Sequence, residues 1–187
     1  MKLKQQTGLI DGVPYRSSPN QDGRPDNNDI SGIVIHNISL PPGEFGGGWI
    51  DDLFMNQLDP SAHPYFEQIV GMAVSAHVLI RRDGEVVQYV PFHQRAWHAG
   101  KSNWDGRESC NDFTIGIELE GCDEQYFEAV QYEQLAELVL LLCETYPLIT
   151  KAQLKGHSQI SPGRKTDPGP YFDWERLYGL LITHSDD

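Results

Sequence analysis

This 187-residue chain has few cysteines, little basic charge and no long apolar run, and each shortage removes a class of protein. Its three cysteines, Cys110, Cys122 and Cys143, are odd in number. They show neither a CxxC spacing nor a disulfide framework, so they read as reduced small side chains. Lys and Arg total 14 against 27 Asp and Glu, a net charge of −13, and so acidic a chain has no basic face to offer a nucleic acid. The longest apolar stretch, around Leu138 to Cys143, is too short to span a bilayer and falls inside a helical pattern, so no membrane partner is expected. The opening Met1-Lys2-Leu3-Lys4-Gln5-Gln6 has positive charge but no apolar stretch behind it, which argues against a secretory signal and for the cytoplasm. What is present, 39% hydrophobic and 10% aromatic residues, is enough for one core. The expectation is a single domain over 1–187, acting as a monomer.

Residues 1–29 read as an irregular lead-in, rich in Pro, Ser, Asn, Asp and Gly from Gly8 onward. Gly32-Ile33-Val34-Ile35 is apolar and β-branched, a buried strand with His36 at its C-terminal end. A long insert over 39–73 follows, with Pro41-Pro42-Gly43, Gly46-Gly47-Gly48 and a short helix over 49–55; a loop of this length is expected to form a wall of a binding cleft. Asp83-Gly84 between two β-rich runs is the strongest hairpin signal. Thr114 to Glu120 alternates, placing Ile115, Ile117 and Leu119 on one face and Glu118 and Glu120 on the other. Leu135, Leu138, Val139 and Leu142 have helical spacing, and Pro147 stops that helix. Leu154-Lys155-Gly156 suggests another short strand, and a last helix starts from Asp173 as N-cap and buries Trp174, Leu177 and Leu181. Interleaved strands and helices with one hairpin predict an α/β (mixed α+β) fold, a central mixed β-sheet flanked by helices.

Two distant segments carry the chemistry: Val34-Ile35-His36-Asn37, and Gly156-His157 followed by Arg164-Lys165-Thr166-Asp167-Pro168-Gly169. Two imidazoles and a carboxylate suit a borderline-soft divalent ion such as zinc, and three protein ligands leave one position open, as catalytic sites do. Taken singly, each residue also has an ordinary reading: a histidine in the fold, an Asp-Pro-Gly turn. Tyr65, Phe66 and Trp97 can offer flat apolar surfaces to a sugar ring, or pack in the core. His63, His77 and His98 read as groups that support the ligands or the fold.

Longer stretches decide between these readings. The run from Val34 to Gly47, Val74-Ser75-Ala76-His77, Arg95-Ala96-Trp97-His98-Ala99-Gly100, Gly116 to Gly121 and Arg164 to Pro170 resemble the zinc N-acetylmuramyl-L-alanine amidases, and in particular their cytoplasmic branch acting on 1,6-anhydro-muropeptides. The resemblance runs from about Pro14 to Leu177. It implies the sheet-and-helix fold shared with peptidoglycan recognition proteins, and hydrolysis of the amide between the lactyl group of (1,6-anhydro-)N-acetylmuramic acid and L-alanine of the stem peptide, in cell-wall recycling. By the same resemblance His36, His157 and Asp167 match the ligands of Zn2+. Glu118 matches the acid that takes a proton from the attacking water, and Lys165 the cation that steadies the oxyanion. The implied partner is a soluble anhydro-muropeptide; read from the residues themselves, Asn37 beside the first ligand can bond its acyl or acetamido groups and Tyr65 and Trp97 can pack on its sugar, which makes these three the candidate substrate-binding residues. The alternative is a non-catalytic binding module on the same fold; relatives of that kind lose metal ligands, and this chain has the whole set. The resemblance departs at Ser109 and at Ala73, where close relatives carry basic residues suited to a stem-peptide carboxylate. Tolerance of different stem peptides is the expectation that follows.

Overall fold

Three apolar strands from distant parts of the chain lie side by side and form the middle of the molecule. The computed structural model describes residues 1–183; positions 184–187 of the expected 1–187 domain lie outside the described residues. The central sheet has five strands in the spatial order Leu154–Gly156, Gly32–Ile38, Thr114–Glu120, Val78–Ile80, Val86–Gln88. The first four are parallel and the last is antiparallel, so the sheet is mixed, as the sequence pattern predicts. Five α-helices are described: α1 (Trp49–Phe54), α2 (Phe66–Ile69), α3 (Ala129–Thr145), α4 (His157–Ile160) and α5 (Trp174–Thr183).

Alternation divides the two faces of the sheet. Ile33, Ile35, Ile115, Ile117 and Leu119 pack against Leu135, Leu138, Val139 and Leu142 of α3 and Leu177 and Leu181 of α5. Removing this apolar surface from water is the main stabilising term. Helix α3 is tied to the sheet by the buried Gln131, whose Nε2 donates to the Ile80 and Glu120 carbonyls at 3.1 and 3.0 Å. Asp173 caps α5 by accepting the Arg176 N–H at 2.9 Å. Trp174 departs from expectation: it is only partly buried, because its ring lies at the helix margin beside Phe172 and Tyr178. The His36 strand also continues to Ile38, so His36 lies within the strand and not at its end.

The hairpin is wider than a two-residue turn. Gly84 N–H bonds the Arg81 carbonyl and Arg81 N–H the Glu85 carbonyl, and Gly84 has a φ of 87°, a turn closed by a glycine bulge. A side chain there would also meet Val130 Cγ2 at 2.5 Å. The lead-in is more ordered than its composition suggests. Leu9–Ile10 pairs with Leu3–Lys4, and Gln21–Gly23 pairs antiparallel with Gln94–Ala96. Asn20 is buried and donates to the Val74 carbonyl at 2.8 Å. Strands of two or three residues carry too little alternation to be read from sequence. The 39–73 insert contains α1 and α2 and builds a second core, with Leu40, Ile50, Phe54 and Phe66 packed on Leu79, Val87 and Tyr89.

Candidate metal centre

Strand register brings the candidate residues together. Glu118 lies directly opposite His36 in the parallel pair, and Gly156 lies opposite Ile35, so His157 follows at the level of His36 and opens α4. All three sit toward the C-terminal ends of parallel strands, where open α/β sheets place their ligands. Asp167 arrives on a loop pinned by Ser158 N–H donating to the Asp167 carbonyl at 2.9 Å.

Three electron-rich atoms converge there. His36 Nδ1 lies 3.0 Å from His157 Nδ1 and 3.0 Å from Asp167 Oδ2, and His157 Nδ1 lies 3.1 Å from the same oxygen. On the far side of its ring, His157 Nε2 is 3.0 Å from the Ala99 carbonyl, which only accepts; Arg164 Nη2, 3.2 Å from the same nitrogen, spends its two protons on the Ala99 and Lys101 carbonyls, so Nε2 carries the proton and Nδ1 offers a lone pair. Lone pairs and a carboxylate oxygen packed this closely call for a cation among them. The spacing is near the roughly 3.3 Å between donors about 2.0 Å from a tetrahedral ion. The donor set therefore fits zinc.

Electrostatics agree with that use. Burial pushes His36 down to about 4, against the pull of Asp167, so it is neutral and able to ligate near pH 7. Burial alone would raise Asp167, but its contacts with His157 and His36 outweigh that and hold it well below the usual carboxylate range, so it is anionic near pH 7. Glu118 is pushed well above that range, first by burial and then by the Asp167 charge, with Lys165 opposing. Its Oε2 is buried with no hydrogen-bond partner among the described residues, which is costly for a carboxylate unless chemistry uses it. Glu120, by contrast, accepts from Gly46 and Arg82 backbone N–H groups and serves the fold.

His36, Asn37, Tyr65, Trp97, Glu118, His157, Lys165 and Asp167 all line one cleft of about 650 Å³. The insert supplies one wall through Ser39, Leu40, Gly43 and Tyr65. Asn37 is already engaged, its Nδ2 donating to Asp123 Oδ1 at 2.7 Å and the Pro168 carbonyl at 3.0 Å. Phe66 does not reach the cleft; it is fully buried in the insert's core. His63 turns inward to accept Tyr65 N–H, and His77 is buried, accepting Gly116 N–H at Nδ1. His98 contacts a candidate ligand directly, with Nδ1 3.0 Å from His36 Nε2. Ser109 lines a neighbouring cavity of about 560 Å³ with Lys101 and Arg164. Ala73 lies apart from it, beside Met72 and Leu58.

Two supporting residues escaped the sequence reading. Arg164 Nη2 donates to the Ala99 and Lys101 carbonyls at 2.6 and 2.8 Å, fixing the carbonyl that orients His157. Asn111 Oδ1 accepts the backbone N–H groups of both His98 and Ala99. Arg164 stands at the head of the Asp167 segment, a signal that was available; Asn111 carries none, because its partners are backbone groups.

The sequence pattern of the N-acetylmuramoyl-L-alanine amidase family matches residues 26–170. The 1,6-anhydro-N-acetylmuramyl-L-alanine amidase AmpD of Escherichia coli (strain K12) is 57% identical over 181 residues, covering 97% of this chain and 97% of that protein. A crystal structure of a Se-Met AmpD derivative superposes with a TM-score of 0.93 at 55% identity, covering 97% of this chain and 99% of that one. The amidase AmiD of E. coli, solved with anhydro-N-acetylmuramic acid-L-Ala-D-gamma-Glu-L-Lys, superposes with a TM-score of 0.60 at 30% identity, covering 81% of this chain and 57% of that one.

Proposed function

This chain belongs to the N-acetylmuramoyl-L-alanine amidase family and has that activity, and we propose that it acts with zinc on soluble anhydro-muropeptides in the cytoplasmic recycling of cell-wall fragments. The bond cut is the amide between the lactyl carbonyl of 1,6-anhydro-N-acetylmuramic acid and the nitrogen of L-alanine. AmiD, a more distant relative, was solved with an anhydro-muropeptide of this kind, which supports the substrate class. No described helix is long and apolar enough to cross a membrane.

His36 Nδ1, His157 Nδ1 and Asp167 Oδ2 would hold the ion. Zinc bound there supplies a Lewis acid, able to lower the pKa of water from ~15.7 to about 7 and to polarise a carbonyl. Glu118 takes the proton of the attacking water on Oε2 and delivers it to the L-alanine nitrogen as the C–N bond breaks, so that the amine leaves neutral. Its burial strengthens its hold on that proton, and the Lys165 charge keeps the hold from becoming permanent. The Lys165 ammonium, on the cleft wall, faces the carbonyl oxygen as negative charge develops. Tyr65 and Trp97 offer ring faces to the sugar, while Asn37 braces the Asp167 loop through Pro168.

The observation that carries this reading is the convergence of three donor atoms beside an unpartnered carboxylate oxygen in one cleft. It is tested with purified protein and an anhydro-muropeptide: chelation should abolish hydrolysis, zinc should restore it, and Asp167→Ala should not recover. Full activity in the chelated protein or the variant would sink the mechanism. The cavity at Ser109, with Lys101 and Arg164 around it, has no basic side chain at position 109 to demand a stem carboxylate, and so suits stem peptides of different lengths. Rates on tripeptide and truncated-stem substrates should therefore be similar, and a steep preference for a carboxylate-bearing third residue would refute that tolerance.

A further inference from the structure

We propose that His98 is a positioning residue that locks His36 in the one tautomer able to bind a metal ion through Nδ1. The inference rests on the metal-centre reading above. A neutral imidazole carries one N–H and can place it on either nitrogen. At His36 the local environment favours the wrong choice: a proton on Nδ1 would donate to Asp167 Oδ2, 3.0 Å away, and leave no lone pair for a metal. Something must hold the proton on Nε2.

The chain of hydrogen bonds behind His36 does so, and its direction follows from its far end. The Thr114 hydroxyl, fully buried, donates to the Cys110 carbonyl at 2.6 Å, so its proton is committed and Oγ1 is left to accept. His98 Nε2 lies 3.3 Å from that oxygen and supplies the N–H. His98 Nδ1 is then a lone pair, and it faces His36 Nε2 at 3.0 Å, where it must accept. The proton of His36 is held on Nε2, and Nδ1 is left open toward His157 and Asp167.

The ring of His98 is fixed for this task. A Cβ at Gly116 would come within 2.3 Å of His98 Cγ, so the strand beneath the ring admits only glycine. Asn111 Oδ1 accepts both the His98 and the Ala99 N–H groups, at 3.1 and 2.8 Å. The Ala99 carbonyl receives His157 Nε2 at 3.0 Å. Two adjacent residues thus orient both ligand imidazoles, one by side chain and one by backbone. This gives His98 and Ala99 a role that the reaction itself leaves unassigned.

The test compares zinc affinity, by chelator competition, in the parent, His98→Phe, His98→Asn and Thr114→Val. A long-range 1H–15N spectrum of each metal-free protein reports the His36 tautomer. Phenylalanine keeps the ring's bulk but not its acceptor, and zinc binding should weaken by roughly 10–100-fold. Asparagine can return a carbonyl oxygen to the place of Nδ1, and should recover most of that affinity. Thr114→Val frees the end of the chain and should weaken binding in the same direction by less. His36 should be the Nε2–H form in the parent and shift toward Nδ1–H in His98→Phe. Parent-like affinity or an unshifted tautomer in His98→Phe overturns the proposal, as does an asparagine variant as weak as the phenylalanine one. Should His98→Phe fail to fold, unchanged affinity in Thr114→Val overturns it instead. A parent that binds no zinc removes the metal centre as well.

Discussion

At the scale of single residues, Glu118 has the least ordinary surroundings. A carboxylate with an unpartnered buried oxygen and a pKa raised by burial is a poor contributor to stability and a good proton carrier. Glu118→Gln keeps the shape and removes the proton acceptor. Its kcat should fall by roughly 10²–10⁴-fold with little change in KM or zinc affinity. Steady-state kinetics with a zinc titration check this; a loss confined to KM would make Glu118 a binding group. Asn37 shows the opposite case. It lines the cleft with its amide nitrogen engaged by Asp123 and the Pro168 carbonyl, partners more than eighty residues away in sequence, so the proposed substrate contact falls to its Oδ1.

At the scale of elements, the site depends on strand register. Glu118 faces His36, and Gly156 faces Ile35, because both neighbouring strands run parallel to the His36 strand. A one-residue slip would turn every side chain to the other face, so the apolar row Ile115, Ile117 and Leu119 under α3 also aims Glu118 into the cleft. Gly116 is where this strand meets the histidines. Gly116→Ala should destabilise the protein by about 1–3 kcal/mol, as overpacked cores do, and displace His98. Denaturant melts of the metal-free protein, paired with zinc affinity, measure both effects; unchanged values in both would show that the ring has room to move. The helix over Ala129–Thr145 and the Thr114–Glu120 strand were legible in advance, since each has a long, strong period. The short strands of the lead-in were not, because their partners are supplied by Leu3–Lys4 and by Gln94–Ala96 and not by a pattern of their own.

For the molecule as a whole, the buried histidines set the dependence of stability on pH. Burial lowers His36, His77 and His98 below 6.5, the first to about 4, so the folded protein keeps them neutral where the unfolded chain takes up protons. The unfolded state then binds more protons, and stability rises with pH through that window. The contribution is complete above about pH 6.5 and is lost as pH falls, at ~1.4 kcal/mol per pH unit for each group. Glu118, whose pKa burial pushes well above the usual carboxylate range, takes up a proton more readily in the folded state and opposes this trend, as one group against three imidazoles. Thermal melts of the metal-free protein at pH 7.5, 6.5 and 5.5 should therefore show a falling midpoint. A flat profile would mean that these imidazoles are not buried neutral.

The amino-acid sequence by itself determined the mixed sheet with flanking helices, through local apolar periods. It also determined the supply of two imidazoles, a carboxylate and a nearby lysine. Its long stretches in common with the amidases pointed to the reaction. Only the tertiary structure decided that Nδ1 of His36 and of His157 faces Asp167, that a Thr114–His98 chain stands behind His36, and that Trp174 stays at the margin of the core. The reason is one of range. Periodicity is written over neighbouring residues, whereas the direction of a hydrogen bond at His36 depends on Thr114 and on Asp167, which only the packed sheet brings within reach.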